Sequence, residues 1–104
     1  MKEKIMIKLL MNWDIKSGQE QAYSEFVVKE LVPSMTQMGL HLTEAWHTLY
    51  GEGPQIMVGG VTEDLESMQQ ILSSDDWQKL HQKLQNFVAN YSHKVIRASN
   101  RFQL

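Results

Sequence analysis

The chain has no cysteine, which excludes disulfides, thiolate metal sites and a cysteine nucleophile. It also lacks an excess of basic charge: ten Lys and Arg are scattered among twelve Asp and Glu, for a formal net charge of −2. Without a basic stripe nothing tracks a phosphate backbone, so nucleic acid is not an expected partner. No apolar run approaches the roughly 18 residues that a membrane span needs. Met1 to Lys8 mixes Lys and Glu with apolar residues and carries no signal-peptide core. The expectation is a cytoplasmic protein with no membrane partner, and an absence of cysteine suits a reducing compartment. Proline is scarce, at two in 104 residues, so each one is a strong local signal.

What is present is ordinary globular composition, 42% hydrophobic and 21% charged, which argues against disorder. One domain over residues 1–104 is expected. Its core is small enough to gain from helices layered on a sheet, or from a partner subunit.

Ile5 to Ile15 carries Ile5, Ile7, Leu9, Met11 and Trp13 at period two, a strand signal, and its other parity is partly apolar. Lys16-Ser17-Gly18 breaks that strand. Ser17 with Glu20 then reads as a capping box for a helix through Ala22, Tyr23, Phe26, Val27, Leu31, Met35 and Met38. Pro33 should kink or divide this helix near Val32, and Gly39 is its C-cap. Leu40 to Tyr50 reads as a second strand, with Leu42, Trp46 and Tyr50 on one parity and His41, Ala45, His47 and Leu49 on the other. Gly51-Glu52-Gly53-Pro54 is a turn, and Gln55 to Val61 is a third strand forming a hairpin with the second. Gly59-Gly60 points to a bulge or a close backbone approach.

Thr62 is positioned to cap a helix through Leu65, Met68, Ile71 and Leu72. Ser73-Ser74-Asp75-Asp76 interrupts it and recaps an amphipathic helix whose stripe reads Trp77, Leu80, Leu84, Phe87, Val88 and Tyr91. His81 sits at the edge of that stripe. Ser92 to Phe102, with Val95, Ile96 and Ala98 among Lys94, Arg97 and Arg101, is a fourth strand.

The order β-α-β-β-α-β predicts an α+β, ferredoxin-like sandwich, a four-stranded antiparallel sheet with its helices on one face. Strands one to three are apolar on both parities, which a solvated second face does not favour. A second copy covering that face makes a homodimer the expected partner.

This pattern resembles the dimeric α/β-barrel superfamily, in which two such sheets close into one barrel. The resemblance rests on the strand ending before Ser17-Gly18, the helix broken at Pro33 and ended at Gly39, and the Ser-Ser-Asp-Asp-Trp recapping. It is similar to the antibiotic-biosynthesis and haem-degrading monooxygenases and to EthD-like, NIPSNAP-like and stress-responsive barrel proteins, without singling out one family. In haem-degrading members a histidine at the place of His81 ligates the iron, with an asparagine on the first strand and a tryptophan slightly upstream. Asn12 answers to the asparagine, whereas the tryptophan position falls near Ile71. The resemblance therefore makes His81 the first catalytic candidate and Asn12 the second. No cofactor is expected, with haem at His81 as the alternative.

The plainer reading of His81 is a ring packed on a neighbour with one nitrogen wet. Nine aromatics and seven methionines are either core or the lining of a pocket for a small hydrophobic or aromatic ligand, with Trp77, Trp46, Tyr23, Phe26 and Leu84 as its candidate residues. No metal site is expected: His41 and His47, taken as sharing a strand face, would lie roughly 20 Å apart, and His93 has no partner at ligand spacing. Lys8, Glu44 and Arg97 read as sheet-surface or interface ion pairs. Three functions remain: a ligand-binding or stress-type barrel, a cofactor-independent monooxygenase, and a dimerisation module whose pocket is filled by its own side chains.

Overall fold

Alternation along the first strand sets the architecture. The computed structural model describes residues 5–99, in the order β1 (Ile5–Ile15), α1 (Glu20–Phe26), a π-helical turn (Val27–Leu31), α2 (Val32–Gln37), β2 (His41–His47), β3 (Ile56–Thr62), α3 (Leu65–Leu72), α4 (Asp75–Leu84) and β4 (Val88–Ser99). Arg101 and Phe102, assigned above to the last strand, lie outside the described residues. No helix among the described residues is long and apolar enough to cross a membrane.

The sheet is antiparallel in the order β2-β3-β1-β4. Leu9, Met11 and Trp13 are completely buried and form one core with Tyr23 and Phe26 of α1, Met68 and Ile71 of α3, and Trp77, Leu80 and Leu84 of α4. The helices therefore share one face. Lys8, Leu10 and Asn12 point to the other, opposite Val61, Gly59 and Met57 of β3 and Ile96, Lys94 and Ser92 of β4. No β1 residue of that parity belongs to the helix-side core.

The helix ends follow local chemistry, with two corrections. Glu20 reaches back to the backbone N–H of Gly18 at 3.1 Å, but Ser17 makes no reciprocal bond, because Gln19 occupies the N-cap position of α1. The expected Ser17–Glu20 capping box therefore does not form, since Glu20 bonds Gly18 N rather than Ser17 N. Thr62 is likewise two residues short of the cap: its hydroxyl donates to the Asp64 carbonyl at 2.8 Å, and the Asp64 side chain accepts from Ser67 N. Ser74 caps α4 as expected, accepting from Trp77 N at 3.1 Å.

Pro33 has no N–H to give the Lys29 carbonyl, and the wider π-turn immediately before it accommodates that missing bond. Beyond α2, Gly39 N donates to Thr36 O and Leu40 N to Met35 O, both at 3.0 Å. This is a Schellman motif with Gly39 at φ 95° and the buried Met35 and Leu40 as its apolar pair.

Helix α4 stops at Leu84, so Phe87, Val88 and Tyr91 do not extend its stripe. Lys16 N donates to the Phe87 carbonyl at 2.9 Å and Ile15 pairs with Val88. Strand pairing thus overrides a helical periodicity that continues in the sequence.

Edge strand β2 also departs from simple parity. Leu42 faces Gly60 but Glu44 faces Gly59, so Thr43 is an extra residue opposite the glycine pair. From Glu44 onward every side chain changes face relative to unbroken alternation. Leu42, Ala45 and His47 point to the helix side, while His41, Glu44 and Trp46 point to the open face. His41 and His47 do not share a face.

Candidate functional site

A gap lies between the π-turn with the start of α2 and edge strand β2. A largely apolar cavity of about 470 Å³ fills this gap, lined by Trp13, Tyr23, Val27, Leu31, Val32, Met35, Leu42, Ile56 and Val58, with Thr43 to His47 along its edge. Its volume lies within the range of small-molecule sites. Trp13 Nε1 donates to the Tyr23 hydroxyl at 3.0 Å, with the rings edge-on at 6.5 Å. Burial pushes the Tyr23 phenol above its ordinary pKa, only partly offset by the Trp13 bond, so the hydroxyl stays protonated.

Glu44, on the strand lining this cavity, pairs with Lys8 on the open face, and Trp46 Nε1 donates to its other oxygen at 3.3 Å. The Lys8 bond, followed by the Trp46 bond, holds the Glu44 carboxyl below its ordinary range. The expected sheet-surface ion pair therefore exists between Lys8 and Glu44. Arg97, opposite Ile7 on the helix side, makes no ion pair among the described residues.

An aromatic array leads away from the cavity. Trp13 stacks on Tyr91 at 6.0 Å with the planes 12° apart, and His81 meets the Tyr91 ring edge-on at 4.4 Å. Tyr91 also bonds His93 Nδ1 at 2.9 Å. The His81 ring lies 6.3 Å from Trp77, and its Nε2 meets the Gln85 amide at 3.0 Å. His81 Nδ1 is buried with no hydrogen-bond partner among the described residues. Burial, then the neighbouring His93, depresses the His81 pKa, so the ring is neutral at neutral pH.

The candidate residues thus fall into separate places. Tyr23 lines the cavity, and Trp46 stands at its edge with 63% of its surface exposed. Phe26 instead pairs with Phe87 at 5.0 Å beneath a surface groove between α1 and the end of α4. Trp77 and Leu84 are core residues that do not line the cavity, and neither does His81. Asn12 is on the open face, across the sheet from His81, with its Oδ1 buried and unpaired among the described residues.

No family model matches the chain, and neither does any curated protein. Solved structures do. A NIPSNAP family protein from Agrobacterium tumefaciens has a TM-score of 0.70 at 14% identity, covering 96% of this chain and 90% of that one. An EthD family protein from Bacillus halodurans reaches 0.69 at 18% identity, covering 86% and 95%. A dabb family protein from Mesorhizobium loti, described as having a ferredoxin-like fold, reaches 0.65 at 10% identity, covering 88% and 95%. This chain has the ferredoxin-like fold. At such identities the likeness establishes that architecture and leaves activity to the site.

On this ferredoxin-like frame the residues do not suit haem. His81 lies edge-on against Tyr91 with one nitrogen turned into the core and the other at Gln85, and Asn12 occupies the opposite sheet face. Among the described residues, no group of three or more His, Asp or Glu could hold a metal ion. The sequence reading missed His47, which the Thr43 bulge brings to the cavity wall. Gly59-Gly60, opposite that bulge, was the available signal.

Proposed function

We propose that this protein binds a small hydrophobic, ring-containing ligand in the cavity between the π-turn and β2, and that it does so as a homodimer. The observation that carries the ligand reading is the cavity of about 470 Å³, walled by aliphatic and aromatic side chains with Tyr23 among them. The ionisable groups on its lining, Tyr23, Glu44 and His47, form no hydrogen-bonded pair with one another among the described residues, which favours binding over acid-base turnover. The dimer reading is supported by Leu10, Met57 and Ile96 on the sheet face that carries no helix among the described residues, since an antiparallel sheet uncovered on one side favours polar residues there.

Binding is tested by titrating naphthalene-class probes against tryptophan fluorescence, in the native chain and in Val32→Trp. Val32 lines the cavity and is 38% exposed, so the larger side chain narrows the entrance at little cost to the core. Saturable binding that this substitution abolishes supports the proposal. Absence of binding in the native chain overturns it in favour of a dimerisation module whose pocket is filled from within. Light scattering at low micromolar concentration reads the assembly, with twice the chain mass expected and a monomer mass excluding the dimer.

A further inference from the structure

The Trp13–Tyr23 pair leaves one hydrogen without an acceptor. Trp13 has a single N–H, and it is spent on the Tyr23 oxygen at 3.0 Å. That bond uses Tyr23 as an acceptor. The phenolic hydrogen remains, and no described residue accepts it. Tyr23 is only 8% exposed, so bulk water is a poor substitute, and a buried donor without an acceptor is unfavourable. Both residues line the same cavity.

We propose that the Tyr23 hydroxyl is the polar anchor of this cavity and that the occupant is a small apolar molecule bearing a carbonyl oxygen, which accepts the Tyr23 hydrogen. This rests on the ligand-binding reading above and adds the ligand class to it. A carbonyl matches the wall because it accepts without donating. An alcohol or amine would bring a hydrogen of its own that finds no side-chain acceptor among Val27, Leu31, Met35 and Val58, and only a ligand reaching the cavity's edge would meet Thr43, Glu44 or His47. A carboxylate would lack a counter-charge: among the described residues the cavity lining includes Glu44 and no lysine or arginine, and Lys8 is engaged by Glu44 on the open face. The anchored oxygen lies toward Trp13, and the apolar body extends along Leu31, Met35 and Leu42.

The test compares 2-acetylnaphthalene with 2-ethylnaphthalene, which has nearly the same shape without the oxygen, in the native protein and in Tyr23→Phe. The ketone is expected to lose roughly tenfold in affinity on the substitution, the scale of one neutral hydrogen bond, while the hydrocarbon is unchanged and so reports an intact cavity. In the native protein the bound ketone's carbonyl stretch moves to lower frequency than in hexane and returns toward the hexane value in Tyr23→Phe; an unshifted native stretch is decisive against the anchor even if Tyr23→Phe does not fold. Equal losses for both probes, or an unshifted stretch, overturn the anchor while leaving the ligand-binding cavity in place. Failure of both probes to bind the native protein overturns the cavity reading and the anchor together.

Discussion

Glu44 lies directly over Gly59: a Cβ built on Gly59 would sit 2.8 Å from Glu44 Oε1. Glu44 is on β2 and its partner Lys8 is on β1, with β3 between them. The missing side chain at Gly59 clears the path by which a carboxylate on the edge strand reaches a lysine two strands away. The neighbouring Gly60 does the same on the other face, where a Cβ would sit 2.8 Å from Leu40 Cγ.

The two glycines should therefore differ in sensitivity. In Gly59→Ala the obstructing atom ends a flexible, half-exposed side chain, so Glu44 swings away and the loss is about 1 kcal/mol. In Gly60→Ala the obstruction is the branch point of the completely buried Leu40, and the cost is about 2–3 kcal/mol of overpacking. Urea denaturation of the two variants checks the order. An equal or reversed order would show that Leu40 has room to move.

The capping serines separate in the same way. Ser74→Ala removes the acceptor for Trp77 N and should cost about 1 kcal/mol. Ser17→Ala removes no cap of α1 and should stay within about 0.5 kcal/mol of the native chain. Thermal unfolding of both variants distinguishes a real cap from a sequence-level imitation.

Asp14 of β1 ties β4 and the residue leading into β3 together at one end of the sheet. It accepts from Gln55 N at 2.8 Å and from the Asn90 side chain at 3.0 Å, and Asn90 holds a left-handed φ of 57°. The Asn90 bond, then the Gln55 backbone bond, lowers the Asp14 pKa below 3.8. A depressed carboxyl pKa contributes stability that is present above the unfolded value and is lost as pH falls through the folded one. Melting temperature against pH should decline more steeply below about 3.8 for the native chain than for Asp14→Ala.

His81 works in the same direction in a higher window. Burial, then His93, depresses its pKa below the ordinary 6.5, so the unfolded chain binds a proton there before the folded chain does. Stability is full above about 6.5 and falls as pH drops through the depressed folded value. His81→Phe should flatten the melting curve between pH 7 and 5. The His81 ring resonances should titrate with a midpoint below 6.5. A midpoint above that value would refute the packing described.

Much of this was legible in the chain itself. Leu9, Met11 and Trp13 at period two, Pro33 with Gly39, and Ser74 ahead of Trp77 are short-range signals. Strand alternation, a missing N–H, a left-handed residue and a cap act within a few residues of themselves. They specify the elements, their order and the sandwich that the sheet and helices form. Three decisions depended on residues far apart in sequence. The end of α4 at Leu84 was set by Lys16 and Ile15 pairing with Phe87 and Val88. The bulge at Thr43, opposite Gly59-Gly60, moved His47 to the cavity wall and Trp46 to the open face. The separation of His81 from Asn12 followed from β1 register, where a single residue step selects the face. Local chemistry determined which elements form; pairing across the sheet, which no short window contains, decided which side chains meet.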